Sequence, residues 1–175
     1  MNVRITKLFL FFSLMAPLSA LAENGGIFFF PTLAAGTNSA QQTFIRLGLD
    51  LGYHIDENLY AGVGGFYSFG NHPTQDREIG VGPFLGYAYP VTSFLSFHLR
   101  EDIDYMDQYN PILQSDGSYT HDQEYGVAST SYAGVHLRFS DNFGLSVGYA
   151  LVVGLTNSAL GTGRSGVTLG ATIGI

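Results

Sequence analysis

The sequence predicts an all-β protein, an eight-stranded antiparallel up-and-down transmembrane β-barrel. Three observations carry the prediction: a strict two-residue alternation of bulky apolar with small or ionisable side chains, an N-terminal export signal, and connections that alternate between short and long. The alternation is clearest at 45–55. There Ile45, Leu47, Leu49, Leu51, Tyr53 and Ile55 share one face, and Arg46, Gly48, Asp50, Gly52 and His54 share the other. Successive side chains of a strand point to opposite sides, so this segment needs an apolar medium on one side and a polar one on the other. A closed barrel in a bilayer supplies both and leaves no backbone group unpaired.

The N-terminus sets the compartment. Arg4 and Lys7 precede an apolar stretch from Leu8 to Leu18 and then Ala20-Leu21-Ala22. This pattern reads as a secretory signal peptide over 1–22, cleaved after Ala22, with the barrel over 23–175. The apolar stretch is shorter than the roughly 18 to 20 residues a membrane-spanning helix needs. The chain has no cysteine, so a lipoprotein anchor and a disulfide framework are both excluded. Its formal charge is −7, and losing Arg4 and Lys7 makes it more negative, the wrong sign for a nucleic-acid partner. The expected location is the outer membrane of a Gram-negative-type bacterium, reached by the secretory pathway.

Eight segments carry the strand pattern, at 25–36, 43–55, 59–69, 78–90, 94–105, 125–139, 143–154 and 165–175. Most have the length, about ten residues or slightly more, that a tilted strand needs to cross a bilayer. In the third segment Leu59, Ala61, Val63, Tyr67 and Phe69 face lipid, and in the fourth Ile79, Val81, Leu85, Tyr87 and Tyr89. In the seventh the lipid phase is Phe143, Leu145, Val147, Tyr149, Leu151 and Val153, and in the eighth Val167, Leu169, Ala171, Ile173 and Ile175. Asp56-Glu57-Asn58, Pro90 to Ser93 and Ser140-Asp141-Asn142 are tight turns, whereas Gly36 to Gln42, Gly70 to Arg77, Met106 to Glu124 and Leu155 to Arg164 read as long polar loops. Short periplasmic turns and long external loops are the habit of outer-membrane barrels. Tyr53, Tyr89, Phe97, Phe139 and Phe143 gather at the short-turn side, and Tyr67, Phe69, Tyr105 and Tyr125 at the long-loop side, as two interfacial girdles.

The opposite phase argues against a soluble barrel with apolar residues inside. In strands three, four, seven and eight it is mostly glycine with Ser, Thr and Ala, where a water-facing surface would carry Lys and Glu. Small residues suit a narrow lumen that must also hold long side chains from other strands. Those long side chains are Arg46, Asp50, His54, Glu78, His98, Arg100, Asp102, Asp104, His136 and Arg138. The expectation is a paired network plugging the lumen, with Arg46, Arg100 and Arg138 each within reach of Asp50, Asp102, Asp104 or Glu78. The competing reading is a gated ion path with histidines that titrate near neutral pH.

Glu101 breaks the alternation. Counting from Leu95, Phe97 and Leu99 puts it on the lipid face, where a charge away from the rim is costly. The expectation is a β-bulge that turns it inward or a place near the rim. Otherwise Glu101, with Ser129 and Ser131 on the next strand, marks a contact or lipid-facing site. Ser129, Ser131, His121, His136 and Glu101 are the residue types of a Ser-His-acid arrangement, but no Gly-x-Ser-x-Gly elbow or His-Glu-x-x-His pattern is present. No catalytic residue, metal site or cofactor is therefore assigned. Asp107, Asp116, His121, Asp122 and Glu124 make the segment 106–124 acidic without matching an EF-hand, and it reads as a solvated external loop.

With signal peptide, strand pattern and loop alternation in place, Glu23 to Ile175 resembles the eight-stranded outer-membrane β-barrel proteins, those similar to the transmembrane part of outer membrane protein A and to the opacity-type surface proteins. The resemblance rests on architecture and transfers no site residue. It implies a structural or surface-interaction role, with a lipid-modifying barrel enzyme (acyltransferase or deacylase) or a small pore as the alternatives. It also implies contact with outer-membrane lipids and lipopolysaccharide, with the barrel-assembly machinery and periplasmic chaperones acting during biogenesis. An extracellular partner is not named by the sequence.

Overall fold

The computed structural model describes residues 26–37, 43–70, 77–156 and 164–174, with the backbone alone at 110–113, 119 and 121. The expected signal peptide and cleavage site lie outside the described residues. Eight strands follow in chain order: β1 (Ile27–Thr37), β2 (Thr43–His54), β3 (Leu59–Gly70), β4 (Arg77–Pro90), β5 (Leu95–Leu113), β6 (Tyr119–Ser140), β7 (Phe143–Gly154) and β8 (Arg164–Gly174). Each pairs antiparallel with the next, and β8 returns to β1 from Phe28↔Gly174 to Thr37↔Ser165. Closure removes both sheet edges, so every strand has a hydrogen-bonded neighbour on each side.

The two faces of the wall are inverted relative to a soluble protein. Leu49 is 58 % exposed and stands among other exposed apolar residues such as Leu47, Ile79, Leu85, Leu99, Tyr149 and Leu169, whereas Glu78, facing inward, is 1 % exposed. Water outside would penalise this arrangement at about 25 cal/mol for each Å² of apolar surface, and a lipid exterior removes the penalty.

The short turns are built by side chains that accept backbone hydrogen bonds. Asp56 Oδ1 accepts from the amides of Asn58 at 2.7 Å and Leu59 at 2.6 Å, which holds its carboxyl below the usual range. Thr92 Oγ1 accepts from Leu95 N at 3.1 Å in the same way, an ST-turn between β4 and β5. Just before the third turn the β6–β7 register shifts between Arg138 and Ser140, and across the turn the rings of Phe139 and Phe143 stack with centroids 5.9 Å apart.

At the other end the structure corrects the sequence reading. The segment expected as a loop from Met106 to Glu124 is mostly hairpin: β5 and β6 stay paired as far as Leu113↔Tyr119, leaving a turn of only Gln114–Ser118. Gly117 takes a φ of 80° in that turn, and Asp116 Oδ1 accepts from the Ser118 amide at 2.9 Å and its hydroxyl at 2.6 Å, which pulls the carboxyl below its usual range. The misreading has a physical cause. Once a strand leaves the bilayer both its faces are wet, so the alternation that marks a half-buried strand disappears while the backbone ladder continues.

Inside, two apolar clusters sit at different heights. Phe28, Tyr60 and Phe84, with Phe30 and Ala88, pack toward the short-turn end, and Met106, Ala128 and Val152, with Phe66, pack toward the hairpin end. Glycine makes room for the rings. A Cβ at Gly86 would run into the Tyr60 ring, and one at Gly64 into the Asp50 carboxyl. A cavity of about 880 Å³ runs from the turn residues Asp56, Thr92 and Asp141 up to Arg46 and Arg164.

Candidate functional site

The charged side chains of the lumen form three tiers because strands β2, β4, β5 and β8 bring them to successive heights. In the upper tier Glu78 of β4 stands beside Ser68 of β3 and Gln108 of β5 in the ladder. Its Oε2 lies 3.7 Å from Arg46 Nη2 and pairs directly with Arg164 Nη1, and the three side chains are 0 %, 10 % and 6 % exposed. The Arg46 guanidinium also lies 3.9 Å from the centroid of Phe66, a cation–π contact that offsets part of its lost hydration. With Met106, Ala128 and Val152 almost fully buried beside it, this tier fills the barrel below the hairpin.

The middle tier is an arginine clamp. Arg100 donates from Nε and Nη2 to both oxygens of Asp102 at 2.6 and 2.8 Å and from Nη1 to Asp50 Oδ2 at 2.5 Å. Its plane rests 3.8 Å from the Phe84 centroid. Such fork-to-carboxylate geometry is the strongest form of a charged hydrogen bond. Asp104 is buried just above and accepts from Thr130 Oγ1 at 3.4 Å.

The lower tier is aromatic and imidazole-rich. Tyr60 Oη lies 3.2 Å from His98 Nδ1 and Ser96 Oγ lies 3.0 Å from His98 Nε2, so both ring nitrogens are engaged by hydroxyls. Hydroxyls both donate and accept, and they satisfy a neutral imidazole in either tautomer. The His98 and His136 centroids are 5.0 Å apart, and His54 packs 5.1 Å from Phe28. Arg138 is exposed at this mouth and forms no ion pair among the described residues, which corrects the expectation that all three lumen arginines are paired. Its exposure removes the desolvation cost that makes a counter-charge necessary for a buried arginine.

Outside the wall, Glu101 points away from the lumen. The β4–β5 ladder carries it opposite Leu85 and the β5–β6 ladder opposite Ser131, with no register shift in β5, so no inward-turning bulge is found; it lies midway between the exposed rings of Phe97 and Tyr105, away from either aromatic rim. The unbroken register on both sides is the reason: an extra residue would shift the pairing with two neighbours at once. Ser129 donates a short hydrogen bond to Glu101 Oε1. Glu101 and Ser131 are exposed, and Ser129 is half-buried.

These positions separate the components of a Ser-His-acid site. Ser129, Ser131 and Glu101 face outward, whereas His98 and His136 line the internal cavity. The side chain of His121 lies outside the described set. Among the described residues no group of three His, Asp or Glu is arranged to hold a metal ion. Arg164 is among the lumen residues that the sequence pattern does not reveal. It was assigned to a loop, yet the lumen phase Thr168, Gly166, read one step further back, lands on it.

The comparisons with known proteins follow this geometry. No family model and no curated protein matches the sequence. Solved structures do match. Neisserial surface protein A is similar over 86 % of this chain and 97 % of its own, with a TM-score of 0.66 and 15 % identity. The N-terminal β-barrel domain of OprF from Pseudomonas aeruginosa is similar over 87 % and 100 %, with a TM-score of 0.61 and 13 % identity. The outer membrane enzyme PagL is similar over 83 % and 99 %, with a TM-score of 0.51 and 14 % identity. The chain thus has the fold of the eight-stranded outer-membrane β-barrels. That fold carries an enzyme as well as a surface protein, so the role must be argued from the residues.

Proposed function

We propose that this chain is an integral outer-membrane protein, exported by the secretory pathway, whose barrel anchors the β5–β6 hairpin outside the cell as a surface-interaction element. The observation that carries the reading is the length of that hairpin. Among the described residues β6 is last paired with β7 at Ala128 and β5 with β4 at Tyr109, so at 3.3 Å per residue about 30 Å of β6 stands beyond the β7 wall and about 13 Å of β5 beyond the β4 wall. Between Met106 and Glu124 it carries Asp107, Asp116, Asp122 and Glu124 and no Lys or Arg, which suits a partner with a basic surface. In this reading the lumen is a structural plug, outer-membrane lipids and lipopolysaccharide surround the wall, and the assembly machinery and periplasmic chaperones act only during insertion.

The test is topological. An epitope placed between Ser115 and Asp116 is expected to bind antibody on intact cells, and one placed between Glu57 and Asn58 only after the outer membrane is permeabilised. Deleting 112–120 is expected to keep heat-modifiable migration, the sign of a folded barrel. Labelling at Glu57 on intact cells, or loss of the folded band in the deletion, would refute the assignment.

A further inference from the structure

We propose that the outer face of β5 and β6 around Glu101 is a contact between two copies of this chain within the membrane. Glu101 stands midway between Phe97 and Tyr105 on its strand, both exposed on the same face, so it sits near the centre of the apolar belt. One carboxyl oxygen accepts from Ser129, and no hydrogen bond to the other oxygen or to the Ser131 hydroxyl is formed among the described residues. An acyl chain offers neither donor nor acceptor to these groups, and polar groups left in hydrocarbon are penalised more than polar groups that find a partner.

A second copy meets the requirement by symmetry. All copies insert in one orientation, so a two-fold axis relating neighbours runs along the membrane normal and brings together residues at equal depth. Glu101 is the cross-strand partner of Ser131, which with strands about 4.8 Å apart and tilted by about 40° places acceptor and donor within about 3 Å of depth, inside the reach of a glutamate side chain. An axis passing between β5 and β6 sets Glu101 of one copy against Ser131 of the other, twice over. Close approach is permitted because the outward residues of β6 here are Ser129, Ser131 and Ala133, while their ladder partners on β7 are the larger Val153, Leu151 and Tyr149. The depth also tells against a hydrolytic role for the Ser129–Glu101 pair, since lipid esters lie at the headgroup boundary rather than at mid-belt.

The chain has no native cysteine, which makes the test direct. The protein is refolded into phosphatidylcholine vesicles and oxidised as single-cysteine variants. Ala133→Cys, two residues along the same outward face of β6 and leaving the Ser131 hydroxyl in place, is expected to give at least tenfold more disulfide-linked dimer than Leu49→Cys, whose strand lies on the far side of the barrel. Adding Glu101→Leu is expected to remove that excess, and adding Glu101→Gln to retain it because the amide still accepts from a hydroxyl. Heat-modifiable migration confirms folding of each variant. Equal cross-linking at 49 and 133 overturns the proposal, as does an excess at 133 that Glu101→Leu leaves intact.

Discussion

Glu78 and Glu101 lie on adjacent strands of one barrel wall, both far from bulk water, and their surroundings differ in kind. Glu78 points inward, is 1 % exposed, and has two arginines, Arg46 and Arg164, drawn to it from β2 and β8. Glu101 points outward and has one hydroxyl, from the neighbouring strand β6. The inner carboxylate is matched by cations because a narrow lumen brings opposite strands within side-chain reach. The outer one can be matched within the chain only by the strands beside it. A barrel therefore satisfies polar groups in its lumen from across the bore, and must leave those on its exterior to the adjacent strands or to a partner outside the molecule.

Breaking the inner arrangement gives the largest expected effect. Glu78→Ala leaves Arg46 and Arg164 buried near each other without a shared counter-charge, and removing one partner of a buried pair costs about 3 to 5 kcal/mol. Urea unfolding of the barrel in detergent micelles measures this. Because the same tier blocks the bore below the hairpin, Glu78→Ala is also expected to raise conductance in planar bilayers above that of the parent, whose steady conductance is expected to be negligible. A stability loss no greater than that of Glu101→Ala would erase the contrast between the two glutamates, and large steady conductance by the parent would remove the plug.

The outer face comes next. Leu49→Arg puts a charge on the lipid side of β2, where no adjacent strand offers a carboxylate, and the cost at mid-belt is about 2 to 4 kcal/mol. The measurement is the yield of heat-modifiable folded protein on insertion into vesicles. Wild-type yield would mean that Leu49 does not meet hydrocarbon, and the reading of the wall as a membrane wall would fall with it.

The parts of this molecule that could be read in advance are those where one face meets lipid. In β2 the residues from Ile45 to Gly52 have the phase their alternation predicts, because a one-residue slip would exchange Leu49 for Asp50. Outside the bilayer that constraint lapses, and the upper hairpin, with Asp107, Gln108 and Tyr109 consecutive in a strand, looked like a loop. The lumen was legible in composition but not in pairing. Arg46, Arg100, Asp50 and Glu78 were all visible as inward charges, yet which carboxylate meets which arginine depends on barrel stagger, which no local pattern encodes. Arg164 was hidden because it opens its strand, and Tyr60 and Phe84 because a ring on the inner phase looks like an error until Gly86 and Gly62 across the ladder are seen to clear space for it.

The smallest expected effect isolates the turns from both faces of the wall. Asp56 is fully exposed, and its carboxylate is held below the ordinary range by the amides of Asn58 and Leu59. A depressed folded-state pKa means that the ionised form is preferred on folding, so its contribution is fully present above the unfolded value near 4 and is lost as pH falls through the folded one. Asp56→Ala is therefore expected to lower the urea midpoint slightly at pH 7, with the difference from the parent shrinking as the pH is taken below 4. The Arg100–Asp102 and Arg46–Glu78 pairs are intact in both proteins, so the subtraction cancels their own pH dependence. A difference that stays constant from pH 7 to pH 3 would show that the turn needs a side chain at 56 for its shape and draws nothing from its charge.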